Sequence, residues 1–283
     1  MDERAWRCRG RTFVLGSRTL VMGVVNVTPD SFSDGGRSAE RETAVAHAAT
    51  LADEGADIVD IGGESTRPGA APVPVDEELS RVIPVIEGVR SARSDVLISI
   101  DTRRAVVAAA ALHAGAAIVN DVTAGRDEGM FRAVADAQAG MILMHMLGEP
   151  ATMQDDPRYD DVVAEVHEHL RERLEAAIFA GVAQACLAVD PGIGFGKDGE
   201  HNLALLRALP SLANLGAAVV VGASRKRFLG ALTGVDDPAD RLEASIAAAA
   251  WCAANGADVV RVHDVRATVR ALAVTDAIAG GGS

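Results

Sequence analysis

The sequence predicts a single closed (β/α)8 TIM barrel with a short N-terminal hairpin, and three observations predict it. Eight short apolar runs alternate with segments of helical spacing. A unit of small residue, glycine, alanine, apolar run and polar residues recurs as EGADIVDIGGES (54–65), AGAAIVNDVTAG (114–125) and NGADVVRVHDV (255–265), as expected of one structural element reused. No Pro/Gly/Ser-rich linker or shift of composition divides the 283 residues. One domain is therefore expected over 1–283, with loose ends at 1–11 and 279–283. Alternation of this kind calls for parallel strands with crossover helices, and eight units in this length suit a closed barrel better than an open doubly wound sheet.

In chain order, RTFVLGSRTL (11–20) reads as a hairpin-like plug for the barrel bottom. The strands follow as TLVMGVV (19–25), ADIVDIG (56–62), DVLISI (95–100), AAIVN (116–120), GMILMHM (140–146), CLAVD (186–190), AAVVVGA (217–223) and ADVVRVH (257–263). Each is short and apolar enough to be buried on both faces. The repeated glycines suit the position just past a helix, where a positive φ is needed. Helical spacing is clearest over 160–181 and 238–256. Pro84, inside EELSRVIPVIEGVR, reads as a tolerated kink.

Composition narrows the function. The chain is 49% hydrophobic but only 3% aromatic, so the core is built from Ala, Val, Leu and Ile. A net charge of -13 argues against a basic face for nucleic acid or anionic lipid, and an anionic ligand must be held locally. Cys8, Cys186 and Cys252 lack metal or disulfide spacing, which fits a reducing compartment. MDERAWRCRGR has no apolar leader core, and no later run suits a bilayer span. A soluble, cytoplasmic protein is expected.

In such a barrel the chemistry belongs at the C-terminal ends of the strands. Those ends offer Asn26, Glu64 to Arg67, Asp101, Asn120 with Asp121, His145, Asp190, Ser224 to Lys226, and Arg261 with His263. Asn120, Asp190 and Lys226 suit a flat hydrogen-bonding heterocycle, whereas Arg67, Arg261 and His263 suit an anion. A ligand with a polar ring and an anionic tail would use both sets. NVTPDSFSDGG (26–36) reads either as a solvated loop or, more sharply, as a mobile lid carrying Asp34. GESTRPG (63–69) sets Thr66 and Arg67 before a Pro-Gly stop, where a guanidinium can fork onto phosphate. His167 and His169 are expected to be solvated, and His47 and His113 to be surface or core residues.

VDPGIGFGKDG (189–199) carries the G-x-G-x-x-G spacing of a dinucleotide turn. The strand ends at Asp190, ahead of Gly194, and no Asp or Glu lies between Glu200 and Asp236 to hold a ribose. Pro191 stands where a Walker loop needs glycine. The stretch is expected to act through Asp190.

NVTPDSFSDGG, GGESTRPG, SIDT (99–102), NDV (120–122), HMLGEPATMQ (145–154), DPGIGFGK (190–197), GASRKRF (222–228) and RVHDV (261–265) occur in an order that resembles the dihydropteroate synthase family over roughly residues 12–275. The resemblance implies a folate-pathway transferase joining 7,8-dihydropterin-6-ylmethyl diphosphate to 4-aminobenzoate with Mg²⁺, as a homodimer. It implies a pterin pocket of Asp101, Asn120, Met144, Asp190 and Lys226. Asn26, Arg67, Arg261 and His263 would meet the diphosphate, Asn26 also the metal. Thr66, Arg67, Pro68, Phe195 and Ser224 would surround the aminobenzoate, and Asp34 would act on the metal or the cationic pterin. Catalysis would rest on Asp34, Asp101, Lys226, Arg261 and His263. Two other readings stay open: an aldolase-type barrel with Lys226 as a Schiff-base lysine, and a pterin-binding paralogue or pterin-binding methyltransferase module.

Overall fold

The structure, a computed structural model, describes residues 4–27, 36–65 and 69–280. It opens with β1 (Ala5–Cys8) and β2 (Arg11–Val14), then runs β3 (Leu20–Asn26), α1 (Gly36–Asp53), β4 (Ile58–Gly62), α2 (Val75–Ala92), β5 (Leu97–Asp101), α3 (Ala105–Ala114), β6 (Ile118–Asp121), α4 (Met130–Ala137) and β7 (Gly140–Met144). There follow α5 (Val162–Phe179), β8 (Leu187–Asp190), α6 (Gly199–Arg207), α7 (Leu209–Leu212), β9 (Ala218–Val221), α8 (Arg227–Thr233), α9 (Leu242–Ala254), β10 (Val259–Val262) and α10 (Val265–Ala279). Strands β3 to β10 close into a parallel barrel in the order β10-β3-β4-β5-β6-β7-β8-β9, as the alternation predicts. The glycines of the three repeats end α1, α3 and α9 with φ of 103°, 124° and 93° at Gly55, Gly115 and Gly256, a region that costs other residues more.

The hairpin lies earlier than expected. Residues 1–11 were expected to be loose, but β1 pairs with β2 from Ala5↔Val14 to Cys8↔Arg11, and Arg9 and Gly10 turn between them with positive φ, as a tight two-residue hairpin needs. Leu20 already belongs to the barrel. The alternating charges of the first residues conceal a strand period of two: Trp6 and Cys8 are buried while Arg7 points out. Of the expected loose C-terminal end, 279–283, α10 reaches Ala279, and 281–283 fall outside the described residues.

Parity along each strand divides the core. Val21, Val25, Val59, Ile61, Ile98, Ile100, Val119, Met141, Leu143, Val189, Val219 and Val260 face outward beneath the helices. The alternate positions fill the lumen. Its lower layer, including Met22, Ile58, Ile118, Ile142, Val220 and Val259, forms one apolar cluster with Trp6, Cys8, Phe13 and Leu15 of the hairpin segment. Trp6 Nε1 donates to the Cys186 carbonyl at 3.0 Å, so the hairpin is fastened to the floor. The next inward positions, Asp60, Ser99, Asp101, Asn120, Asp190 and Arg261, form a polar layer above it.

Because Trp6 is fully buried, Trp6→Ala is expected to cost about 3–5 kcal/mol of unfolding free energy. Urea unfolding checks this, and a loss below about 1 kcal/mol would show that the hairpin does not seal the barrel.

Candidate functional site

The polar layer gathers around Arg261, which β10 projects into the mouth. Its Nε donates to Asp60 Oδ2 at 2.6 Å, and its Nη2 to Asp101 Oδ2 at 2.8 Å. Asn120 Nδ2 also donates to Asp60 Oδ2 at 3.0 Å. Strands β4, β5, β6 and β10 thus place four expected or newly found groups in one network. Asp60 Oδ1, Ser99 Oγ and Asp101 Oδ1 are buried with no hydrogen-bond partner among the described residues. Each such group costs about 1–3 kcal/mol until a donor reaches it, so the layer is built to receive hydrogen bonds.

The carboxylates respond to burial. Desolvation pushes Asp101 up to about 7; Arg261 opposes this, while Asp60, Glu78 and Asp121 reinforce it. Burial raises Asp190 to about 6 against the Gly192 amide and the nearby Lys226, Arg261 and Lys197 cations. Burial thus holds both carboxyls above the ordinary carboxylate range.

Asp190 ends β8, and its Oδ1 accepts from Gly192 N at 2.7 Å. Its carbonyl takes the His145 amide at 3.0 Å. Gly192 has φ of +67°, and a Cβ there would collide with the His145 carbonyl oxygen. Only glycine lets the chain turn back under Asp190. Two further loop amides serve the fold: Gly194 N donates to Asn202 Oδ1 at 2.7 Å and Phe195 N to the Gly192 carbonyl at 3.0 Å.

Lys226 stands after β9 as the residue preceding α8, with its ammonium 4.0 Å from the centroid of the Phe195 ring. Gly194 leaves room for the Lys226 stem, since a Cβ there would come 3.1 Å from its Cδ. Arg225, at φ of +59°, is turned away from the mouth and held by both Asp264 oxygens, at 3.0 and 2.6 Å. This outward anchor lets SRKR present Lys226 alone. Phe195 packs against Met144, Met146 and Val122, so the expected aminobenzoate wall stands beside two expected pterin residues, Met144 and Lys226.

At the β9–β10 edge, Ser224 Oγ lies 3.1 Å from His263 Nδ1 and accepts from the His263 amide at 3.3 Å. Burial, then Arg261 and Arg225, lower His263 to about 3. His263 is therefore neutral near pH 7 and offers an anion a hydrogen bond rather than a charge. Asn26 closes β3, half-buried at the mouth. Asp34, Thr66, Arg67 and Pro68 lie outside the described residues.

Some expected neighbours face elsewhere. Asp121 turns outward and caps its loop, accepting from Thr123 N at 2.7 Å and Gly125 N at 2.8 Å. Glu64 pairs with Arg103 and Arg104 at 3.3 and 3.0 Å. His145 sits behind the mouth, 2.9 Å from Lys197 Nζ, and meets His169 edge-on at 4.9 Å. His169 is therefore half-buried, not solvated, because α5 lays it over the β7 loop; burial lowers it to about 4. His167 is half-buried too, whereas His47 and His113 are exposed. Cys186 precedes β8 at the barrel floor, away from the mouth.

Two residues escape a reading of strand ends. Asp60 lies inside its strand, and its signal is a carboxylate in the otherwise apolar run ADIVDIG. Lys197 is buried beneath the Asp190 loop and bonds the Phe195 carbonyl at 3.0 Å as well as His145. Burial brings it down to about 7. Its place in an abortive Walker pattern gives no hint of this.

The described residues include no group of three or more His, Cys, Asp or Glu side chains arranged to hold a metal. No helix among them is long and apolar enough to cross a membrane.

A sequence profile described as "Pterin binding enzyme" matches residues 22–263. Dihydropteroate synthase of Neisseria meningitidis serogroup B is 49% identical over 284 residues, covering 98% of this chain and 99% of the relative. Xanthomonas albilineans dihydropteroate synthase with 4-aminobenzoic acid superimposes with a TM-score of 0.91 at 51% identity, covering 98% of both chains. The same enzyme in complex with 7,8-dihydropteroate gives 0.87 at 49% identity, covering 97% of this chain and 98% of that one. With the barrel, the polar mouth and these matches agreeing, the chain belongs to the pterin-binding enzymes, in the dihydropteroate synthase family of transferases.

Proposed function

We propose that the barrel mouth joins 7,8-dihydropterin-6-ylmethyl diphosphate to 4-aminobenzoate, giving 7,8-dihydropteroate and diphosphate. The observation that carries the reading is the set of buried Asp60, Asp101, Asn120 and Asp190 gathered about the half-buried Arg261, with acceptor oxygens left unpartnered. A dihydropterin ring supplies the N–H donors that such acceptors lack. Asp190 accepts from the 2-amino and N3 side, Asp101 and Asn120 meet the opposite edge, and Lys226 and Met144 bound the ring.

The aminobenzoate amine is neutral and needs no strong base, so the demanding event is loss of diphosphate from the pterin methylene. The C–O bond breaks with both electrons leaving on diphosphate, the amine nitrogen forms the new C–N bond, and its proton is lost to solvent. Developing positive charge on the ring is offset by Asp101 and Asp190, and the departing anion is met by Arg261 and the neutral His263. Phe195 and Ser224, with Thr66, Arg67 and Pro68 from outside the described residues, are assigned to aminobenzoate. Asp34 and Arg67 are assigned to the diphosphate side.

Magnesium fits this arrangement as an ion carried mainly by substrate. Mg²⁺ is usually held by one or two protein oxygens together with phosphate oxygens and water, and Asn26 offers one amide oxygen at the mouth. Bound there, it would neutralise charge on the leaving diphosphate.

The decisive assay follows diphosphate release with and without 4-aminobenzoate and with and without EDTA. Release that requires both the amine and the metal is expected, and release indifferent to the amine contradicts the reaction. In the same assay Asp190→Ala should weaken pterin binding at least about tenfold, since a charged hydrogen bond contributes roughly 1.5–3 kcal/mol. Arg261→Ala should instead depress kcat more than pterin affinity. Small and equal losses in both variants would contradict this division of work.

A second copy of the chain is proposed to cover the apolar groove of about 380 Å³ between α6, α8 and α9. Leu232 and Trp251 on its walls are 63% and 50% exposed, and their burial fits the homodimer implied by the family resemblance. Leu232→Glu is expected to shift the sedimentation coefficient from dimer to monomer, whereas an unaltered dimer places the interface elsewhere.

A further inference from the structure

We infer that Asp60 is a positioning residue for the pterin substrate, holding Arg261 and Asn120 so that Asp101 is left able to exchange Arg261 for the ring. The inference rests on the reaction proposed above.

Asp60 is set below the rim, in the middle of β4, and is fully buried. One oxygen, Oδ2, receives both Arg261 Nε at 2.6 Å and Asn120 Nδ2 at 3.0 Å. Strand register gives it no competing ion partner: Val24 stands opposite on β3 and Ser99 on β5. Among the described residues Arg261 is the one cation paired with it. Asp101, by contrast, ends β5 at the rim, keeps some exposure, and binds Arg261 through Nη2 alone.

The two carboxylates therefore do different work on one guanidinium. Arg261 is a long side chain whose free rotamers would have to be ordered during binding. If Asp101 alone held it, both carboxylate oxygens would be drawn to the cation, and the Oδ1 now unpartnered would be lost to the ring. With Nε fixed below by Asp60, Asp101 can turn to a ring N–H while Arg261 stays upright in the mouth. The same Oδ2 fixes the amide of Asn120, so its carbonyl end is presented in one orientation. Asp60 need not touch the ring at all to set two of the groups that do.

The test compares Asp60→Ala with Asp60→Asn, reading kcat, the KM for each substrate with the other saturating, and thermal stability. Alanine releases both Arg261 and Asn120; asparagine keeps an acceptor oxygen for both but no charge. Asp60→Ala is expected to lower kcat through the released Arg261 and to raise the pterin KM about tenfold through the released Asn120, while the aminobenzoate KM stays within about twofold. Asp60→Asn is expected to recover a large part of that loss. A lowered melting temperature with both KM values unchanged makes Asp60 merely structural and overturns the inference, as does an equal rise in both KM values. If the alanine variant does not fold, the asparagine variant decides by the same contrast between substrates. The unaltered protein is assayed in parallel, so that absence of any product refutes the proposed reaction and not the role of Asp60.

Discussion

The site depends on a half-buried cation inside a barrel. Arg261 projects inward from β10 with its side chain 22% exposed, and an unpaired charge so poorly solvated would be costly. Asp60 and Asp101 meet it from two other strands, and Asn120 joins through Asp60. The requirement to neutralise one arginine thus fixes the relative positions of β4, β5, β6 and β10 at the level of the mouth. The chain carries a net charge of -13, and at the mouth Arg261 is set singly between Asp60 and Asp101. Specific local placement replaces the general basic surface that the composition rules out.

The rest of the fold keeps this layer dry and stiff. Beneath it the lumen is apolar and closed by Trp6 and Phe13 of the hairpin, so water has no route from below. Beside it the Asp190 loop is tied by the Asp190 carbonyl to His145 and by Lys197 to His145 and Phe195. Gly192 and Gly194 remove the Cβ atoms that would push the loop off His145 and Lys226. Three buried atoms of the layer, Asp60 Oδ1, Ser99 Oγ and Asp101 Oδ1, have no partner among the described residues, and a ligand with N–H donors would satisfy the acceptors.

Much of this was legible in the sequence. Strand period and recurring glycines specify the barrel, and polar strand ends locate Asp101, Asn120, Asp190 and Arg261 because the C-terminal rim is where a barrel presents side chains. The start of the hairpin is hidden because Trp6 and Cys8 alternate with arginines, and charge masks the period. Asp121 shares a strand end with Asn120, but parity turns it to the outer face. Asp60 lies one layer below the rim, where strand ends give no signal. Its partnership with Arg261, like that of Lys197 with His145, joins residues far apart in sequence, and no local pattern announces it.

The central claim is that the mouth holds carboxyls raised by burial and eased by ring donors. Asp101 and Asp190, near 7 and 6 in the ligand-free chain, are partly protonated around pH 6.5. At Asp190, whose own partners stay in place, a donor N–H favours the ionised form and lowers its value, so binding must release protons at pH 6.5 and cease to do so near pH 8.5, where it is already ionised. Titration calorimetry with 6-hydroxymethyl-7,8-dihydropterin, in buffers of different ionisation enthalpy, measures this directly. The account predicts proton release at pH 6.5 that fades by pH 8.5; proton uptake, or no exchange at either pH, would contradict it.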